Sequence, residues 1–218
     1  MAKLRRDGPY VWVTWVTRLL AGEDACEWSA WFRARHDGGS WDRVPSDFDQ
    51  AGWQMAHTAM VNETRERWEQ QGHEVFTERQ NGFSLRGHAG TLGGRPDLVA
   101  RKGDGGTVID VKTGKPGPAH VVQVMLYMYA VPMAIGQHRR VTFDGRVAYA
   151  DHVVDIPAEA VDGKFVERLS GLISRLGSDT PARKVPSPGE CRFCPITSAD
   201  CPERVEDEGP EQGTTTDF

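Results

Sequence analysis

Two carboxylates and a lysine, Asp97, Asp110 and Lys112, are spaced so that one β-hairpin would bring them together. Residues 95–101 and 107–112 read as its arms, and Lys102-Gly-Asp-Gly-Gly106 reads as its turn. The midpoint between positions 97 and 110 falls inside that turn. A regular hairpin therefore sets the two aspartates opposite each other, with Cβ atoms roughly 4.5–5.5 Å apart on one face. Lys112 lies two residues beyond Asp110 and shares that face; Val111 points the other way and leaves its carbonyl at the sheet surface. Carboxylates this close repel unless one is protonated or a cation lies between them. Hard oxygen donors of this kind fit Mg2+ or Mn2+. A lysine alongside can orient water and stabilise charge, and the set then suits metal-assisted hydrolysis of a phosphodiester. Asp-x-Lys by itself is a common surface pair. The matched position of Asp97 and the apolar neighbours Leu98, Val99, Val108 and Ile109 mark this pair as a site.

A second group of reactive residues is formed by the cysteines. Cys191, Cys194 and Cys201 fall in one short segment, and Cys26 is the fourth in the chain, with none left over. The C-x2-C pair turns two thiolates toward one centre, the third follows in a Pro/Ser/Asp-rich loop, and Cys26 must arrive from the other end of the chain. Four thiolates suit tetrahedral zinc or an iron–sulfur cluster, and spacing alone leaves both open. No stretch resembles a signal peptide or a membrane span, so a cytoplasmic chain with reduced thiols is expected.

The elements that must hold these groups alternate in type. Residues 10–22 are apolar and stop at Gly22, and Glu23–Arg35 reads as a short helix. A long helix runs from a cap at Ser46 or Asp47 to about Gln71 and carries Trp53, His57 and Trp68. Val75 and Phe76, then Phe83 and Leu85 across Asn81-Gly82, predict a first hairpin ahead of the acidic one. Residues 118–135 predict an apolar helix bearing Gln123 and Tyr127 on one face, with His120 on the same stripe. Two strands, 141–147 and 151–156, and an amphipathic helix from Pro157 complete the body. The order implies an α/β domain with a central mixed sheet flanked by helices. One domain is expected over residues 1–204, with an acidic, disordered tail over 205–218. All seven tryptophans precede residue 70; most such clusters are core packing, although indoles also stack on bases.

In order along the chain, Gly-Arg-Pro-Asp97, Ile-Asp110-Val-Lys112-Thr-Gly and Gln123-Val-Met-Leu-Tyr127 resemble the PD-(D/E)XK nuclease superfamily, closest to its RecB-like branch. The cysteine plan, one early and three late, resembles that branch's iron–sulfur nucleases, including CRISPR-associated exonucleases. The resemblance implies a restriction-endonuclease-like core whose two ends are joined by a metal cluster. It implies Asp97, Asp110, the Val111 carbonyl and His57 as metal ligands, Lys112 as the catalytic lysine, and Gln123 and Tyr127 over the active site. It further implies a [4Fe–4S] cluster, rather than zinc, on Cys26, Cys191, Cys194 and Cys201. The implied activity is a Mg2+- or Mn2+-dependent DNA nuclease, an exonuclease or end-processing enzyme. It would act on single strands or free ends in recombination, repair or CRISPR adaptation, with CRISPR adaptation or helicase proteins as partners. A non-catalytic nucleic-acid-binding scaffold with the same fold is the alternative.

The net charge of −5 argues against binding DNA by bulk charge. However, Glu203–Phe218 holds six acidic residues against Arg204, so residues 1–202 are neutral overall. Local basic groups in that body, among them Arg6, Arg33/Arg35 and Arg183/Lys184, remain available to phosphates.

Overall fold

The computed structural model describes residues 6–206. The expected tail lies outside the described residues from position 207 onward. Strand β1 (Tyr10–Trp12) leads into helix α1 (Val13–Ala21), which Gly22 ends at φ 76°, as expected of a left-handed helix stop. Helix α2 is shorter than expected, Trp28–Arg35. The residues before it do not coil, because Glu23 and Asp24 fold back onto the Arg18 guanidinium at 3.1 and 2.8 Å. Helix α3 (Gln50–Gln70) is capped by Asp49, whose carboxylate accepts the Gly52 N–H at 2.9 Å. Ser46 is engaged instead in a local turn with the Phe48 amide.

The first expected hairpin does not form. Strand β2 (Glu74–Thr77) is followed by a single helical turn, α4 (Glu78–Asn81), and then by β3 (Phe83–Arg86), which joins a different sheet. A capping box between Thr77 and Gln80 starts that turn. The buried Asn81 amide ends it by donating to the Phe76 carbonyl at 2.9 Å. The Asn-Gly pair therefore closes a helical turn between two sheets. The second hairpin does form: β5 (Leu98–Lys102) and β6 (Gly105–Lys112) pair with Leu98 opposite Ile109. Its connection is tighter than expected, Gly103-Asp104, with Gly103 at φ 63°.

Strand β4 (Thr91–Gly94), helix α5 (Pro118–Ala134), strands β7 (Thr142–Tyr149) and β8 (Val153–Ile156), helix α6 (Gly163–Gly177) and helix α7 (Pro188–Arg192) follow. Helix α6 begins at its Asp162 cap and not at Pro157, which precedes a separate 3-10 turn. Among the described residues the strands form a mixed sheet in the order β2-β5-β6-β7-β8 and a small sheet β1-β4-β3. The one parallel pair of the large sheet, β6 with β7, is bridged by α5, as a parallel crossover requires.

Alternation along the strands assigns the two faces. Val99, Val108, Phe143 and Val147 pack with α1, α5 and α6 in the main core. Leu98, Ala100, Ile109, Val111 and Ala148 pack under Trp68, Met60 and Val61 of α3. Asp110 and Lys112 thus fall on the α5 face at the carboxyl end of β6, and Val111 falls on the α3 face. This is the expected α/β architecture with a central mixed sheet flanked by helices.

Candidate active site

Asp97 immediately precedes β5, and the hairpin register, extended by one pair, sets it opposite Asp110. Both are buried, at 8% and 2% exposure. The Asp97 Oδ2 atom accepts the Val111 N–H at 2.7 Å and lies 3.3 Å from His57 Nε2. His57 therefore reaches the end of the hairpin from α3, across the sheet edge from α5. Its pKa is raised, first by the hydrogen bond to Asp97 and then by the charges of Asp97 and Asp110 and by the Val111 carbonyl. His57, Asp97, Asp110 and the Val111 backbone, up to 54 residues apart in sequence, converge here.

Asp110 forms the other half of the site. Its Oδ2 is 2.7 Å from Lys112 Nζ, and its Oδ1 accepts the Gln123 Nε2–H at 3.0 Å. Lys112 Nζ also donates to Gln123 Oε1 at 3.0 Å, so the Gln123 amide clamps carboxylate and ammonium together. The same amide nitrogen lies 3.2 Å from the Tyr127 hydroxyl one helical turn further on. Burial pushes the Asp110 carboxyl up to about 6, Asp97 adds to the rise, and Lys112 opposes it. Tyr127 is also raised, mainly by burial and then by Asp110. Gly94 makes room for that ring: a Cβ there would stand 2.8 Å from both Tyr127 and Phe83.

A divalent cation fits this donor set. Asp110 Oδ2 is buried, and its contact is the ion pair to Lys112 Nζ at 2.7 Å. One ammonium does not offset two carboxylates set this close and this deep, since burial and Asp97 still raise Asp110 against the pull of Lys112. Among the described residues no three His, Cys, Asp or Glu side chains form a ready metal group as they stand. The donors meet in pairs instead, with His57, Lys112 and the Val111 N–H occupying the carboxylate oxygens.

The structure adds Tyr149, which the sequence did not single out, and gives His120 and Trp53 their neighbours. Tyr149 is the register partner of Lys112 across the parallel β6–β7 pair, and its hydroxyl is 2.8 Å from His120 Nδ1. Burial lowers the His120 pKa, and Lys112 lowers it further. Trp53 stacks on His57 at 5.0 Å and 24°, and is 41% exposed. Only the parallel register reveals Tyr149; the i, i+4 spacing of Trp53 and His57 on α3 was a legible signal for the other.

The four cysteines line one cavity of about 190 Å³, and none is in a disulfide. Glu190 of α7 joins the chain ends by accepting the Ala25 and Cys26 amides at 2.7 and 3.2 Å. Cys191 Sγ accepts the Val205 N–H at 3.4 Å, and Cys194 Sγ lies 3.6 Å from Ser29 Oγ. Burial raises the Cys201 thiol, with Lys184 opposing and Cys194 and Cys191 adding to it. Arg33, Lys184 and Arg204 share the cavity wall. Asp24 and Glu190 share that wall as well, so it is of mixed charge, and the all-sulfur donor set suits a soft metal centre.

No helix among the described residues is long and apolar enough to cross a membrane. No curated protein matches the chain. The solved structure named "Crystal structure of SSO0001" matches at 16% identity and a TM-score of 0.47, covering 92% of this chain and 89% of that one. The family model of the PD-(D/E)XK nuclease superfamily matches residues 20–202, the span that holds the acidic hairpin, Gln123, Tyr127 and all four cysteines. The chain belongs to the PD-(D/E)XK nuclease superfamily.

Proposed function

We propose that this chain is a metal-dependent deoxyribonuclease that cuts single strands or free ends, on the RecB-like branch of its superfamily. The observation that carries the reading is the buried pair Asp97/Asp110 with Lys112 tied to Asp110 and His57 tied to Asp97. Asp97, Asp110, the Val111 carbonyl and His57 would hold Mg2+ or Mn2+, which would supply Lewis-acid charge and a nucleophilic water at neutral pH. Lys112 would keep its ammonium against the scissile phosphate, and Gln123 would hold that ammonium in place through its amide oxygen. Tyr127 fixes the other side of the Gln123 amide. Water would attack phosphorus in line, with no covalent protein intermediate.

Trp53 supports an unpaired substrate. Its exposed ring lies over His57, with Phe48 at 6.2 Å and 63% exposed beyond it. An unstacked base can lie on such a surface, whereas a paired base inside a duplex does not present its face.

The cysteine cavity would hold a [4Fe–4S] cluster in a structural role, closing the domain between Cys26 and the Cys191–Cys201 segment. The resemblance to iron–sulfur nucleases favours iron over zinc. Recombination, repair or CRISPR adaptation are the settings this branch implies, with helicase or CRISPR adaptation proteins as partners.

Incubation of labelled linear and circular DNA with Mg2+ or Mn2+ tests the nuclease reading. Asp97→Ala and Asp110→Ala are expected to lower cleavage by roughly a thousandfold or more. Wild-type cutting by Asp110→Ala would falsify the assignment. Metal-independent binding with no cleavage of any substrate would favour the scaffold alternative.

A further inference from the structure

A second cavity, of about 180 Å³, lies where α1, α2 and the loop after α2 meet the cysteine segment. Arg6, Arg33 and Arg43 line it together with the indoles of Trp12, Trp15 and Trp41, and its lining contains no Asp or Glu. The Arg33 guanidinium lies 4.8 Å from the centre of the Trp15 ring, and that of Arg43 5.1 Å from the centre of Trp41. These cations are incompletely partnered. Arg33 Nε donates to the Ser29 carbonyl at 3.2 Å, and Arg43 Nη2 reaches the Gly38 carbonyl at 3.4 Å. Arg6 Nε and Trp41 Nε1 are buried with no acceptor. Arg35, on the same helix as Arg33, contrasts at its terminal nitrogens, which meet Asp179 at 3.1 Å and the Gly177 carbonyl at 2.8 Å, although its Nε too lacks an acceptor. Burial pushes Arg33 down to about 10, Cys194 and Asp24 pull it up and Arg43 pushes it down, so it remains a cation at neutral pH.

Three guanidiniums without a lining carboxylate, beside orphaned buried N–H donors, call for an anionic oxygen ligand. The cavity is smaller than the roughly 300 Å³ at which whole-ligand sites begin, so it suits one group rather than a complete small molecule. The indole walls accept the apolar face of whatever carries that group. We propose that this cavity binds a backbone phosphate of a nucleic-acid strand, at a point separate from the scissile phosphate at Asp97 and Asp110. The proposal rests on the nuclease reading for the identity of the strand, although binding here requires no cleavage. The cavity also depends on the cysteine segment. Arg43 makes a β-bridge to Ile196, and the Val44 N–H donates to the Pro195 carbonyl at 2.9 Å. Ordering of Cys191–Cys201 therefore sets the wall that carries Arg43.

The test is fluorescence anisotropy of a labelled single-stranded oligonucleotide with the full chain, its cysteine centre loaded and no Mg2+ or Mn2+ added. Arg43→Gln is expected to weaken binding roughly tenfold. It should also flatten the slope of log affinity against log salt by about 0.7, the loss of one phosphate contact on a single strand. Arg43→Lys keeps the charge and should keep the slope. Trp41→Phe keeps a ring but removes the Nε1 donor, and should weaken binding severalfold; it carries the same comparison if Arg43→Gln fails to fold by circular dichroism. Unchanged affinity and slope in folded Arg43→Gln and Trp41→Phe would overturn the proposal. Competition by inorganic phosphate alone, with strand affinity unchanged in the variants, would overturn it too. Those results leave the nuclease reading standing, whereas wild-type cleavage by Asp110→Ala removes that reading and leaves the phosphate pocket measurable.

Discussion

Single side chains at the site are constrained by charge. Asp110 is buried at the end of a strand, where its ionised form is poorly solvated, and Lys112 and His57 offset this only in part. Its carboxyl rises from the usual carboxylate range to about 6. The folded protein then holds this proton more tightly than the unfolded chain, so stability from this group is present at low pH and declines as pH rises from about 4 to about 6. A divalent cation competes with that proton. Added Mg2+ is accordingly expected to raise the melting temperature more at pH 7.5 than at pH 5, read by thermal denaturation. An equal or larger rise at pH 5 would remove Asp110 from the ligand set. Trp53 is the second residue with a prediction. Trp53→Ala should lower kcat/KM on single strands roughly tenfold, from one lost base stack, and leave the protein's stability nearly unchanged because the ring is exposed.

The hairpin of β5 and β6 was the most legible element. Its register follows from the midpoint of two aspartates over a glycine-rich turn, and alternation then determines which side chains share a face. The helix with Gln123 and Tyr127 was legible too, because i, i+4 neighbours share a helix face. The hairpin expected at Asn81-Gly82 was not, because the Thr77/Gln80 capping box and the buried Asn81 amide outweigh the turn preference of Asn-Gly. At the scale of α5 the Gln123 clamp makes its own prediction. Gln123→Ala frees both Lys112 and Asp110 Oδ1, so kcat should fall by roughly ten- to a hundredfold while strand affinity stays close to wild type. A change confined to affinity would show that Gln123 contacts substrate and does not position Lys112.

Across the whole molecule, the two chain ends are joined at the cysteine cavity. Glu190 holds the Cys26 amide, Arg204 Nη1 donates to the Cys194 and Ile196 carbonyls at 2.9 and 2.8 Å, and Arg175 pairs with Glu27 at 2.7 Å. A cofactor bound by all four thiolates would lock this closure by stabilising only the folded state. Anaerobic purification should give a coloured protein with iron and acid-labile sulfide near four each per chain. Cys201→Ser should lose both and unfold at a lower temperature. A colourless protein carrying one zinc would replace the cluster with a zinc site.

The sequence by itself marked the candidate chemistry, the residue types suited to a hard cation and to a soft one, and it determined the hairpin register that opposes Asp97 and Asp110. These features depend on residue type and on local periods that the backbone imposes before any packing occurs. The family resemblance named His57, but tertiary structure alone decided how distant groups meet at each candidate site. His57 arrives across the sheet edge, Tyr149 through a parallel register, and Arg6, Arg33 and Arg43 through the packing of the loop after α2 on the cysteine segment. Such meetings are set by the burial of two core faces and by crossover connections, which no local spacing encodes.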